Sequence, residues 1–189
     1  IEGALYKDGL YWLADAQNGM ANGTNSWNSE KIYSNSPYAD GSYRVDVQNG
    51  TVLVAGGGLT HNLQNTFQLN GVYKFQDEEW TNYNRITQDS MSAITNFDYV
   101  AVAINPTNTD EMAFGSNSAH GLMVVRDGQT VTEVYNTSNS SLELTGGKIA
   151  IGDMKYDSQG NLWILNPGIE PLKMVTPEGV WYSFTLGAS

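Results

Sequence analysis

An all-β fold of β-propeller blades is what the sequence predicts, on three observations. A strand–turn–strand phrase recurs, as "GVYKFQDEEWTNYN" at 71–84, "GLMVVRDGQTVTEVYN" at 121–136 and "PLKMVTPEGVWYSFTL" at 171–186. Ahead of each copy stands a second pair of short strands, in "YRVDVQNGTVLVAGG", "YVAVAINPTNTDEMAFGS" and "IGDMKYDSQGNLWILNPG". No long window carries the 3.6-residue apolar spacing of an amphipathic helix. Four short strands repeated about every 50 residues is the periodicity of propeller blades, and a solenoid has shorter rungs. The expected architecture is about four four-stranded antiparallel repeats forming part of a larger propeller.

The elements follow in order. The blades are placed at about 1–38, 39–84, 97–138 and 148–187, with hairpin anchors at Gly19, Gly71, Gly121 and Pro171. The opening "GALYKDGLYWLAD" fills the first slot, turning at Lys7-Asp8-Gly9, and a weaker hairpin follows from Gly19 to "WNSEKIYSNSP". Later turns fall at Gln48-Asn49-Gly50, Asn105-Pro106-Thr107-Asn108 and Ser158-Gln159-Gly160-Asn161, all rich in residues that accept positive φ or form Asx-turns. Small apolar strands such as Val100-Ala101-Val102-Ala103 suit the crowded axis. Trp12, Trp80, Trp163 and Trp181 are expected farther out, filling the wedge between sheets as core residues. Trp27, in a polar stretch, is left unassigned. Residues 85–98 read as a long polar connector with room for one helical turn.

The run "LVAGGGLTHN" at 53–62 raises the question of a phosphate loop. Such a loop feeds its glycines into a helix N-terminus and supplies a Lys. Here no helix is predicted, and the next cation, Lys74, lies inside a strand. Gly56–Gly58 are therefore expected to let the chain leave its strand and turn sharply. In its repeat the run begins an insertion, roughly residues 57–70, between the second and third strands of a blade. Connections of that kind emerge at one end of a propeller, where binding residues gather. His61, Asn62 and Asn65 from the insertion, with Asn117, Ser118 and His120 from the next blade, are the candidate binding patch.

Composition excludes several functions. A formal charge of −11, from 9 Lys+Arg against 20 Asp+Glu, argues against a nucleic-acid partner. With no cysteine there are no disulfides, thiolate sites or cysteine nucleophiles. No apolar run reaches membrane-spanning length. "GSNSAHG" holds Ser and His but not the G-x-S-x-G elbow, and two isolated histidines do not make a metal site. Asp77-Glu78-Glu79 reads as a solvated hairpin turn. No catalytic residue, metal or cofactor is expected.

The unit "GVYKFQDEEWTNYN … VAVAINPTNTDEMAFGSNSAHGLMVV", with "MKYDSQGNLWILNPG", resembles the two-component-regulator propeller repeat; Ile-Leu-Asn stands where Gly-Thr is usual. That resemblance implies an extracytoplasmic sensor of a hybrid histidine kinase of Bacteroidetes, binding carbohydrate, or a related surface protein. The phrases "DGLYWLADAQNGM", "YSNSPYADGSYRVDVQNGTVLVAGGG", "NGVYKFQDEEWTNYN" and "GVWYSFTLG" are similar, in this order, to a segment of the PorZ family, surface propellers of the type IX secretion system. Members are much longer, and the likeness implies cell-surface location and a role with anionic lipopolysaccharide. Four blades of a larger ring leave two faces uncovered. Further blades of a parent protein, or a second copy of the chain, are the expected partners on those faces.

Overall fold

A computed structural model describes residues 2–15, 19–25, 28–32 and 35–187. The chain divides into two compact units, Ile1–Ser36 and Pro37–Ser189. The first is one antiparallel sheet in sequential order: β1 (Gly3–Lys7), β2 (Leu10–Asp15), β3 (Gly19–Asn25) and β4 (Asn28–Ile32). Its first turn uses Asp8 and Gly9, both at positive φ, which matches the right-handed twist of the strands. Tyr6 pairs with Tyr11 across it, ring centroids 4.8 Å apart. Trp27 lies outside the described residues.

The second unit holds three sheets. One is β5 (Arg44–Gln48), β6 (Thr51–Ala55), β7 (Val72–Gln76) and β8 (Glu79–Tyr83). The next is β9 (Tyr99–Asn105), β10 (Asn108–Ser118), β11 (Leu122–Val125) and β12 (Val131–Tyr135), with the two-residue β13 (Ile149–Ala150) added on β10. The last is β14 (Asp153–Tyr156), β15 (Leu162–Leu165), β16 (Leu172–Val175) and β17 (Trp181–Phe184). Strands within each repeat pair with their sequence neighbours, antiparallel, as up-and-down blades require. The connector 85–98 does contain one helical turn, α1 (Asp89–Ser92), whose Met91 is buried.

Strand β9 lies between β5 and β14, and all seven of its residues are buried. Two apolar layers flank its sheet. Toward β5–β8, Phe114, Met123 and Ile104 pack with Leu53, Val72 and Tyr83; toward β14–β17, Leu122, Val124 and Ile149 pack with Met154, Leu162 and Ile164. Burying one such side chain fully is worth about 1.5–3 kcal/mol, so these layers dominate the unit's stability. Tyr83 and Phe114 meet with ring centroids 5.1 Å apart.

The register makes the three sheets equivalent. Arg44, Ala55, Val72 and Tyr83 form one cross-strand row. Ala101, Gly115, Leu122 and Tyr135 form the matching row of the middle sheet. Asp153, Leu165, Leu172 and Phe184 form that of the last. In the first row Ala55, Val72 and Tyr83 are fully buried, whereas Leu165 is 46% and Phe184 38% exposed.

The aromatic expectation needs correcting. Trp12, Trp80 and Trp163 are half-buried and lie outside the two buried layers, whereas Trp181, also half-buried, packs against one of them as expected. Trp181 meets Tyr135 edge-on and joins the layer between the last two sheets. Trp163 stacks on Phe184 on the open face of the last sheet, and its indole N–H donates to Asp157 at 2.9 Å. Width between sheets is created only where a neighbouring sheet stands.

Candidate functional site

The insertion is rooted by contact rather than by a turn. Gly56, Gly57 and Gly58 do not have positive φ. Instead Gly57 N–H donates to the Tyr99 carbonyl at 3.0 Å, and a Cβ on Gly57 would stand 2.4 Å from Tyr99 N. The glycine run brings the end of β6 against the start of β9, which corrects the reading of a sharp exit. No helix follows, so the run has no phosphate-loop geometry.

From there the chain forms a hairpin tip. Leu59 bridges Asn65, Thr60 N–H donates to the Gln64 carbonyl, and Leu63 N–H donates to the Thr60 carbonyl, the latter two at 2.9 Å. The returning arm is fastened by Asp98, which is fully buried just before β9. Its Oδ2 accepts from Asn65 Nδ2, Thr66 N and Phe67 N, each at 2.9 Å. Its Oδ1 accepts from the Thr66 hydroxyl at 2.8 Å and Gln68 N at 3.0 Å. Five donors on one side chain replace the cross-strand ladder that this segment lacks, satisfying backbone groups that would otherwise be orphaned.

The candidate binding residues fall into distinct places. Asn65 and Asn117 come together: Asn65 Nδ2 donates to the Asn117 carbonyl at 2.8 Å, and Lys148 Nζ donates to Asn65 Oδ1 at 2.7 Å. Asn117 and Ser118 are buried on β10, and Asn117 Oδ1 has no hydrogen-bond partner among the described residues. His120 is half-buried; its carbonyl accepts from Asn96 Nδ2 and from the Ser116 hydroxyl, both at 2.7 Å. Ser116, the first of the two serines in "GSNSAHG", therefore spends its hydroxyl proton on backbone. His61 and Asn62 stand exposed at the tip, with the Asn62 carbonyl accepting from Gln64 Nε2 at 3.3 Å. The patch is thus a pinned base, Asn65 and Asn117, beneath an exposed tip, His61 and Asn62, with His120 held separately by its backbone.

Sequence reasoning missed Asp98, Lys148, Asn96 and Thr66, because nothing local distinguishes an aspartate ahead of a strand from a solvated one. It also missed an axial cleft of about 320 Å3 bordered by β5, β9 and β14. There Arg44 pairs with Asp153 at 3.0 Å and Lys155 with Asp46 at 2.7 Å. Asp46 Oδ2 also accepts from Ile104 N–H at 2.9 Å. Trp163, Leu165 and Leu172 form the apolar side. The available signal was the charge in "RVD" and "DMK" at strand positions where β9 has "AVA". Among the described residues no group of three or more His, Asp or Glu is placed to hold a metal ion, and no helix is long and apolar enough to cross a membrane.

Sequential four-stranded antiparallel sheets, stacked face to face with their innermost strands β5, β9 and β14 side by side, define β-propeller blades. Solved structures agree. PorZ, an essential surface component of the type IX secretion system of Porphyromonas gingivalis, superposes with a TM-score of 0.75 at 19% identity, over 97% of this chain and 25% of that one. An inactive virginiamycin B lyase from Staphylococcus aureus gives 0.52 at 12% identity, over 98% of this chain and 55% of that one. The extracellular domain of a putative hybrid two-component system from B. thetaiotaomicron gives 0.50 at 12%, over 99% and 21%. This chain therefore spans about a quarter of the length of the PorZ chain. No family model matches the sequence, and no curated protein matches it. These likenesses establish the propeller fold; the fold itself hosts lyases, sensors and secretion components alike.

Proposed function

We propose that this chain is a propeller segment of the PorZ kind, a non-enzymatic binding and interaction module outside the cytoplasm that serves type IX secretion and the handling of surface lipopolysaccharide. The observation that supports this reading is the 0.75 fit to PorZ across 97% of the chain, against 0.52 and 0.50 for the lyase and the sensor domain. The arrangement of the histidines is consistent with it: His61 stands at an exposed tip, and Ser116 is bonded to the His120 backbone. His61 and Asn62 are the exposed binding residues of this reading, with Asn65, Asn117 and His120 as their support. Further blades of a parent protein are its partners on the row Leu165, Leu172 and Phe184, since the equivalent rows of the two other sheets of the second unit are covered by a neighbouring sheet.

The test is deletion of the gene in its own cells, with type IX cargo measured at the cell surface, followed by titration of lipopolysaccharide against the intact protein. Cargo retained inside the cell supports the reading; normal cargo display and no lipopolysaccharide binding overturn it. A second reading, a carbohydrate-sensing domain of a hybrid kinase, draws on the axial cleft, where Trp163 and Leu165 adjoin four charged side chains. Glycan titration of the intact protein, with a kinase-dependent transcriptional response as readout, tests that alternative.

A further inference from the structure

We infer that the axial cleft bordered by β5, β9 and β14 binds a small apolar molecule that carries a single carboxylate. Its volume of about 320 Å3 lies in the range of pockets that take small molecules. One side is apolar, built by Trp163, Leu165 and Leu172. The other is a ladder of two ion pairs, Arg44 with Asp153 and Lys155 with Asp46. Arg44 and Asp46 stand two residues apart on β5, and Asp153 and Lys155 two apart on β14. Both cations therefore face one cleft on successive rungs, about 7 Å apart along the strands.

The ladder has donors to spare and no idle acceptor. Asp46 Oδ1 accepts from Lys155 Nζ at 2.7 Å, and its Oδ2 from Ile104 N–H at 2.9 Å. Asp153 Oδ2 accepts from Arg44 Nη1 at 3.0 Å, and its Oδ1 from Met154 N–H at 3.0 Å. Every carboxylate oxygen thus already has a donor. Arg44 and Lys155 each make one of these bonds, whereas a guanidinium offers five N–H groups and an ammonium three. The Asp46 side chain is also sunk, at 10% exposure against 42% for Arg44 and 63% for Lys155. Arg44 and Asp153 form an exposed pair, which holds its geometry weakly, so the guanidinium is free to turn to a ligand.

Charge and donor count select the ligand. The accessible groups are two cations and the Asp153 carboxylate, an excess of one positive charge. A monoanion balances that excess, and a planar carboxylate takes two parallel N–H bonds from a guanidinium. A phosphate dianion overshoots it beside two carboxylates, and a cationic ligand meets Arg44 and Lys155. A neutral sugar leaves the charge unbalanced and finds the Trp163 platform partly taken. That ring stacks on Phe184 at 5.6 Å, and its N–H is donated to Asp157. Trp163, Leu165 and Leu172 then receive the apolar body of the ligand. A peptide C-terminus with an apolar last residue and a short fatty acid share this chemistry. The inference goes beyond the secretion reading and competes with the carbohydrate reading for the same cleft.

The experiment is calorimetry of the intact protein at low salt, where charge pairing is least screened. The probes are N-acetyl-leucyl-leucine, its C-terminal amide, octanoate and cellohexaose. The expected result is that a carboxylate probe binds at least tenfold more tightly than the amide. Arg44→Gln, in an exposed pair, keeps its thermal midpoint and weakens that binding at least tenfold. Leu165→Asn, which spares both cations, weakens it at least threefold, and the distant Lys7→Gln leaves it within twofold. Tighter binding of the dipeptide than of octanoate identifies a peptide C-terminus as the source, and the reverse order a fatty acid; both support the inference. Equal affinity for acid and amide, or affinity unchanged within twofold in Arg44→Gln, overturns it. So does cellohexaose bound where neither carboxylate binds, which gives the cleft to the carbohydrate reading. Leu165 and Leu172 also belong to the row assigned to a further blade; a blade that fills the cleft abolishes binding of every probe and overturns the inference. Normal cargo display on gene deletion, with carboxylate binding still observed, overturns the secretion reading and leaves the cleft assignment standing.

Discussion

The middle sheet, β9–β12, and the last sheet, β14–β17, are built to one plan and end in different surroundings. Each alternates its side chains across two faces, and their strand pairing corresponds from row to row except at the irregularities of β9–β10 and β11–β12, which the last sheet lacks. The middle sheet is covered on both sides, so β9 carries no exposed residue and Phe114 is fully buried. In the last sheet the face bearing Met154, Leu162 and Ile164 is covered, while that bearing Leu165, Tyr182 and Phe184 meets solvent. The same strand plan thus yields core in one place and surface in another: the neighbouring sheet decides which, and the innermost strands already differ, with Ala101 and Ala103 in β9 where β14 has Asp153 and Lys155.

The largest expected effect breaks the comparison directly. Phe114→Ala empties a closed layer and destabilises the chain by about 3–5 kcal/mol in urea titration, whereas Phe184→Ala, stacked on Trp163 but half open, costs about 1 kcal/mol. Should a further blade cover the last sheet in the parent protein, the Phe184→Ala cost measured there rises toward the Phe114 value. A cost that stays near 1 kcal/mol in the intact parent shows that face to be bare.

Next in size is Asp98→Ala, which leaves several buried donors unpaired and costs about 3 kcal/mol. The loop rather than the sheets bears the change, so limited proteolysis cuts between residues 59 and 68 while the middle sheet keeps its amide protection. Cleavage elsewhere instead shows that Asp98 supports the sheet and not the loop.

A smaller effect depends on pH. Glu143, in the connection between these two sheets, has its pKa lowered from the ordinary 4.5 to about 2. The hydrogen bond from the fully buried Lys173 is the main cause, followed by the backbone N–H groups of Ile169 and Glu170. A folded-state pKa below the unfolded one contributes stability that is present above about pH 4.5 and is lost as pH falls toward 2. Thermal melts across that window fall less steeply for Glu143→Gln than for the native chain. Equal slopes remove Glu143 as the cause.

The smallest effect is Leu63→Gly, at an exposed residue with φ 58°. Relief of left-handed strain offsets the added freedom of the unfolded chain, and stability changes by no more than about 0.5 kcal/mol in either direction. A loss much above that shows the exposed leucine to be packed in solution.

Blade periodicity was legible because it is local. The phrases beginning at Gly71, Gly121 and Pro171 each encode a hairpin, and the turn at Asp77-Glu78 adopts its expected solvated form, with both residues at positive φ. At Gly71 the φ of 83° and the Tyr83 carbonyl, only 2.0 Å from where a Cβ would stand, show why the anchor is glycine. The candidate patch was legible in part. Its residues were found through the insertion, but their division into pinned base and exposed tip depends on Asp98, which lies 33 residues from Asn65 and meets it only through folding.

The sequence by itself determined strand, turn and repeat, since alternation, β-branching and turn chemistry act between near neighbours along the chain. Tertiary structure alone decided which face of each sheet is buried, why Gly57 is small, and that Asp98 fastens the arm Asn65–Gln68 of the insertion. Those outcomes depend on backbone and side-chain atoms brought within bonding distance from different blades, and no local pattern encodes that proximity.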